Sequence, residues 1–294
     1  MIPRFRLVFY IVLLCIGLAF TPASAQFPSP ASFVIKLQSV AHPYVSTVES
    51  PVRIESSKQE GMGLLGYSAL VSVHGIGAVV GYNKLADIWG ESDGAFHIKD
   101  ETSDHLAFND EVSHLFVSYK LSQALTEAYG VIGFNDRKAR NVGAIEAALI
   151  MTAVEFPVDA FNPSQGMGLT DLVADYAGVG LAYLKASDDR FKDFDIKMSV
   201  KSIGSNKGRV LGYNCGDYDN YIYWLTYSRS PFVAGVGYST TRFSAKEPKP
   251  QMMLGIGTTI PDLIEPISSK AAKFLKPLEL YFLNIHLAID KIRY

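Results

Sequence analysis

Asp110 and His114 stand four residues apart in the run "NDEVSHLFVSYKLSQAL" at 109–125. On a helix that spacing puts carboxylate and imidazole on one side, together with Val117, Leu121, Leu125 and Ala128, while Ser113, Lys120 and Glu127 mark a wetter side. Two later segments repeat the arrangement. In a helix predicted over about 137–157, Glu155 projects with Ala144, Ala148, Met151 and Thr152, and Asp159 comes next if the helix continues past Pro157. Glu146 projects to the opposite side, as a solvent residue would. In a third helix, about 170–186, Asp171 and Asp175 project with Gly178 and Ala182.

Burying a charge without a partner costs several kcal/mol or shifts its pKa until it neutralises. If these faces meet, Asp110, His114, Glu155, Asp159, Asp171 and Asp175 must neutralise one another through shared protons, hydrogen bonds or a metal ion. The carboxylates could hold a hard divalent ion, with His114 as ligand or general base. One histidine among so many acids is a poor set for zinc, which favours several His or Cys ligands. A purely structural reading stands beside this one. Asn109 suits an N-cap, and Asp110 and Asp171 suit first turns, where the helix dipole favours acids. Glu155 sits late in its helix, where an acid opposes the dipole.

The elements that must position these residues follow from the texture of the chain. Arg4 and Arg6, an apolar run at 7–20 and the small residues Ala23-Ser24-Ala25 read as a cleaved signal peptide over 1–25. Residues 26–60 read as an extended lead-in. A Gly-rich apolar stretch at 61–82 reads as a core helix in which His74 is a satisfied core histidine. An acidic connection at 83–103 carries Trp89 and Phe96, expected to pack on the bundle. Gly130 and Gly133, then 163–168, punctuate the helices. From 188 to 294 the chain changes to short aromatic and β-branched runs, "FDIKMSV", "YIYWLTYS", "FVAGVGYST", "QMMLGIGTTI" and "LELYFLNIHLAI", with one helix, "ISSKAAKFL", before the last. The fold class is α+β: a helical bundle over 61–187 followed by a C-terminal antiparallel β-sheet. The glycines of "GVGYST" and "GIGTT" read as strand positions where backbones approach, not as a dinucleotide fingerprint. With a net charge of −2 and no basic stripe, a nucleic-acid partner is not expected. Cys215 alone remains in the mature chain, so packing rather than an internal disulfide must supply stability.

Three segments also resemble a known family. "DEVSHLFVSYKLS" at 110–122, "EFPVDAF" at 155–161 and "GLTDLVADYAG" at 168–178 are similar to the Asp-Lys-x-x-His, Glu-x-x-x-Asp-x-Phe and Asp-x-x-x-Asn-x-x-Gly segments of the uncharacterised YfiM-like predicted periplasmic lipoproteins. The order of His, Glu and Asp helices more faintly resembles that of the VanZ-like membrane proteins. The resemblance covers about 104–185. It implies an envelope location and helices close to a membrane, with no established activity. Glu111 replaces the usual lysine and Asp175 the usual asparagine, which makes the cluster more acidic. No lipobox is present, since Leu14 precedes Cys15 inside the apolar run.

The expectation is an exported bacterial cell-envelope protein, membrane-associated, with a structural or interaction role and a buried His/carboxylate cluster. Its partner would be a membrane or an envelope protein. One alternative is a metal-dependent enzyme acting on a lipid-linked or cell-wall substrate. Another is a small outer-membrane β-protein, for which about five strands fall short of the eight a barrel needs.

Overall fold

The computed structural model describes residues 90–100, 107–201, 220–241 and 249–289, with helical positions at 68, 74, 75, 77, 79, 81 and 83. The expected signal peptide and lead-in, Trp89 and Cys215 lie outside the described residues. The architecture is α+β, helices first and a five-stranded antiparallel sheet after them.

Three long helices form the first half: α1 (Asn109–Val131), α2 (Asp136–Ala153) and α3 (Leu169–Ser187). Helix α1 packs against both others. Against α3 it comes so close that a Cβ on Gly178 would lie 2.1 Å from Ser118 Oγ, so the small face read from the sequence is a helix contact. Asn135 caps α2 by accepting from the Lys138 N–H. Helix α1 starts differently. Asn109 is its first residue and fully buried, Phe108 precedes it in the left-handed region at φ 58°, and no side chain caps it. The expected Asn109 cap is therefore corrected, since burial directs that side chain inward. Helix α2 also ends earlier than the sequence suggested. A single π turn (Val154–Val158) follows it, broken by extended Phe156, and a 3-10 turn (Asp159–Phe161) follows that. Glu155 and Asp159 thus stand on an interrupted backbone rather than on one continuous helix face.

The second half is a meander, β1 (Phe194–Val200), β2 (Tyr221–Arg229), β3 (Phe232–Thr240), β4 (Pro250–Thr259) and β5 (Phe282–Ala288), each strand pairing with its chain neighbours. Two short helices, α4 (Ile260–Ile264) and α5 (Ser269–Phe274), join β4 to β5. A bridge between Met198 and Tyr281 draws the first strand towards the last, so the sheet curls. Its concave face is filled by Trp224, Ile222, Val233, Met253 and Phe282. Trp224 lies across two strands at positions without side chains: a Cβ on Gly237 would fall 2.7 Å from its ring and one on Gly255 2.8 Å. The glycines of β3 and β4 are therefore places of close approach, as their sequence suggested.

Phe116 and Tyr119 of α1, Ala182 of α3, Ile196 and Tyr223 form the core between helices and sheet. Beside it sits a polar hub. Asp195 Oδ1 accepts from Tyr119 OH at 2.9 Å, Lys120 Nζ at 3.0 Å and the Ile196 N–H at 2.8 Å. Its Oδ2 accepts from Lys197 Nζ at 3.1 Å, and Lys185 Nζ stands 3.6 Å away. Lys197 is only 1 % exposed and also donates to the Glu279 carbonyl. Lys120, read as part of the wet side of α1, therefore faces the sheet, while Glu127 of that side is exposed. The lysine's charge is spent on a buried carboxylate rather than on water. Burial alone would raise the pKa of Asp195, but the three lysines outweigh it and hold the group well below the usual carboxylate range.

Glu146, expected on a solvent face, is also corrected: it is 1 % exposed. Tyr129 OH donates to its Oε2 at 2.5 Å, and His74 pairs with its Oε1. The side of α2 that carries it is covered by Tyr129 and His74 rather than open to water. Among the described residues no helix is long and apolar enough to cross a membrane.

Asp195→Ala is expected to cost about 3–5 kcal/mol, because breaking a buried pair leaves its partners charged without compensation; urea midpoints of both proteins measure this. A depressed acid stabilises the fold above its unfolded pKa of 3.8 and stops doing so as pH falls further. The variant is therefore expected to show a shallower loss of stability below about pH 4 than the parent chain.

Candidate functional site

All six predicted residues meet between the N-terminal ends of α1 and α3 and the broken turn after α2. Asp110 and His114 come from α1, Asp171 and Asp175 from α3, Glu155 and Asp159 from the turns. His114 is central. Its Nδ1 lies 3.2 and 3.3 Å from the two Asp175 oxygens and 3.6 Å from Glu155 Oε1, and its Nε2 lies 4.0 Å from Asp110 Oδ1. Glu155 and Asp175 are fully buried and Asp171 nearly so.

The sequence reading missed a seventh member. Lys99 Nζ donates to Asp110 Oδ2 at 2.7 Å and to Asp171 Oδ2 at 3.0 Å. Its place is set by a backbone ladder: the His97 N–H donates to the Ala160 carbonyl, the Lys99 N–H to the Met167 carbonyl, and the Met167 N–H back to the His97 carbonyl. Residues 94–99 are thereby sewn to the 159–167 loop. No periodic pattern announces such an irregular connection, and only a lysine among acids hinted at it. The same loop brings the Gly168 N–H to Glu155 Oε2 at 2.9 Å. One further acid of α1, Glu111, accepts from Thr170 Oγ1 at 3.1 Å.

The electrostatics follow from burial and neighbours. Burial works against a charged His114, but the hydrogen bond and charge of Asp175, helped by Asp171 and Glu155, outweigh it and lift the ring to about 9. Burial pushes Glu155 up to about 8 despite His114 and the Gly168 N–H. It pushes Asp159 up to about 7 and raises Asp175 as well. Lys99 is desolvated too, yet Asp110 and Asp171 hold it above the ordinary lysine range. Around neutral pH the site thus keeps two cations among carboxylates of which some retain protons. Several oxygens stay unsatisfied: Glu155 Oε1, Asp159 Oδ1 and Asp171 Oδ1 are buried without a hydrogen-bond partner. Such a cluster can bind and release protons near neutrality, orient a polar group, or ligate a cation.

Apolar side chains flank these polar ones. Phe96, Ile98, Phe108, Phe156 and Leu169, each next to or two residues from the site in sequence or packed with its loop, are exposed. Phe96, Phe156 and Phe161 form a ring cluster with centroids 5.9–6.4 Å apart. Phe96, expected to pack on the bundle, instead packs on this loop and leaves half its surface open.

Comparison with known proteins points to the same region. The model of a family described as "Predicted periplasmic lipoprotein (DUF2279)" matches residues 98–187, which contain every residue of the site. This agrees with the resemblance drawn from the motifs, and the family's description is consistent with an exported, periplasmic or membrane-associated location. No curated protein and no solved structure matches the chain.

Stability of the metal-free protein is expected to fall as pH rises. A group whose folded pKa is raised contributes fully below its unfolded pKa and loses that contribution on the way to the folded one. The windows are 3.8 to about 7 for Asp159, 4.5 to about 8 for Glu155 and 6.5 to about 9 for His114. Tm should therefore decline from about pH 5 to about pH 9, and less steeply in Glu155→Gln. A Tm rising across that range would contradict the assignment.

Proposed function

We propose that this envelope protein works at a membrane, seated on lipid by the convex face of its sheet. The observation that carries the reading is an apolar sheet face left exposed beyond the part that the helices cover. In a solvated antiparallel sheet the apolar residues face the core and the polar ones face water. Here two rows of cross-strand neighbours on the outer face are apolar: Leu225, Val236, Leu254 and Leu287, then Tyr227, Ala234, Ile256 and Ile285. Ile256 is 61 % and Ile285 84 % exposed. The opposite face of the same strands holds the core of Trp224, Ile222, Val233, Met253 and Phe282 together with Asp195, Lys197, Thr226 and His286. A second, outward apolar face is the pattern of strands that meet hydrocarbon, and exposed apolar surface of this extent marks an interaction site.

The partner on this reading is the bilayer, and the helical half is held beside it. A second reading, an enzyme acting on a lipid-linked or cell-wall substrate, is favoured by one specific feature. The polar cluster is bordered by exposed Phe96, Ile98, Phe108, Phe156 and Leu169. An amphiphile could rest its apolar part on these and bring its polar part to His114 and the acids.

Flotation with phosphatidylethanolamine/phosphatidylglycerol vesicles tests the seat. The mature protein is expected to float with the vesicles, and Ile256→Glu/Ile285→Glu to remain largely at the bottom of the gradient with an unchanged circular dichroism spectrum. A parent protein that stays lipid-free would overturn the reading.

A further inference from the structure

We propose that His114, Glu155 and Asp175 hold a divalent transition-metal ion, with Asp159 and Asp171 beside it. One ligand atom from each of the three lies within 4.8 Å of the others, the span over which a single ion can join them. A second triple, Asp110, His114 and Asp171, meets the same distance test, but Lys99 already bridges its two carboxylates. Among the described residues no lysine or arginine pairs with Glu155 or Asp175.

An acidic cluster alone would not carry this inference; two buried side chains add what it lacks. Glu155, 1 % exposed, directs Oε1 towards His114 Nδ1, and Asp171, 3 % exposed, carries Oδ1 in the same cluster; neither oxygen has a hydrogen-bond partner. A purely structural network would satisfy such atoms, because an unpaired buried acceptor costs about 1–3 kcal/mol, and more when charged. A cation satisfies them at once. The remaining oxygen of Glu155 is fixed by the Gly168 N–H, the kind of outer hydrogen bond that orients a ligating carboxylate.

The ligand types choose the ion. One imidazole with carboxylates suits Mn2+, and less readily Zn2+, better than Ca2+, which takes six to eight oxygens. The site does not depend on the membrane reading, since it lies within the helical half and would bind in the absence of lipid.

Titration of Mn2+, and in parallel Zn2+, into chelator-treated mature protein tests it. The expected result is one ion per chain, with affinity reduced about tenfold or more in Glu155→Gln and in Asp175→Asn, and unchanged in the surface variant Glu127→Gln. Equal affinity in folded Glu155→Gln and Asp175→Asn would overturn the site, as would no binding of either ion at millimolar concentration. If both variants fail to fold, the parent protein decides. Bound Mn2+ should raise its Tm and broaden the His114 ring signals before those of His97 and His286, and the absence of either effect would overturn the site.

Discussion

One buried carboxylate holds the two halves of this protein together. Asp195 gathers a tyrosine and a lysine from α1, a lysine from α3 and a lysine from its own strand. A charge in that position is tolerable only because its partners converge on it, and the partners are tolerable only because of the charge. The polar site above it inherits its geometry from this joint. Turning α1 to satisfy Tyr119 and Lys120 also fixes where Asp110 and His114 point, about two and a half and about one and a half helical turns earlier. Gly178 then lets α3 lie against that helix closely enough for Asp175 to reach the ring.

The fold was largely legible because its elements carry clean local signals. Three apolar helical patterns and five strand patterns are bounded by glycines and turns, and each appears within a few residues of its expected place. The six site residues could be grouped because helix periodicity assigns faces, and faces rich in small residues with isolated acids had to meet something polar. Three things were not legible, each for a physical reason. Lys99 is placed by hydrogen bonds between irregular segments, which leave no period. Glu146 and Lys120 look like solvent residues on one helix taken alone, but Glu146 becomes buried and Lys120 half-buried because α1 and α2 are covered on more than one side. The break after Ala153 puts Glu155 and Asp159 on π and 3-10 turns. Such turns tend to occur where side chains are re-aimed, and no residue pattern marks them reliably.

Both halves bury charge, the helical half at the site and around Glu146, the sheet half at Asp195 and Lys197, and the sheet half also carries exposed aliphatic rows on its convex face. Both would be costly in a protein free in water. Each becomes intelligible beside something else: a cation or polar ligand for the cluster, hydrocarbon for the sheet.

The order of the strands bears on how the chain acquires this shape. In a meander every pairing is between chain neighbours, so each hairpin closes a short loop except where the segments between β1 and β2 and between β4 and β5 lengthen it. Local pairings of this kind keep contact order low and make strand-by-strand assembly fast relative to sheets built from distant partners. Trp224 can find its glycine-lined bed as soon as β2, β3 and β4 have paired, before any helix is in place. On that ordering the contacts made late are those that cross from β1 to α1, between residues 75 and 76 apart in the chain. Docking of the helices, rather than growth of the sheet, becomes the step at which the molecule commits to its final form.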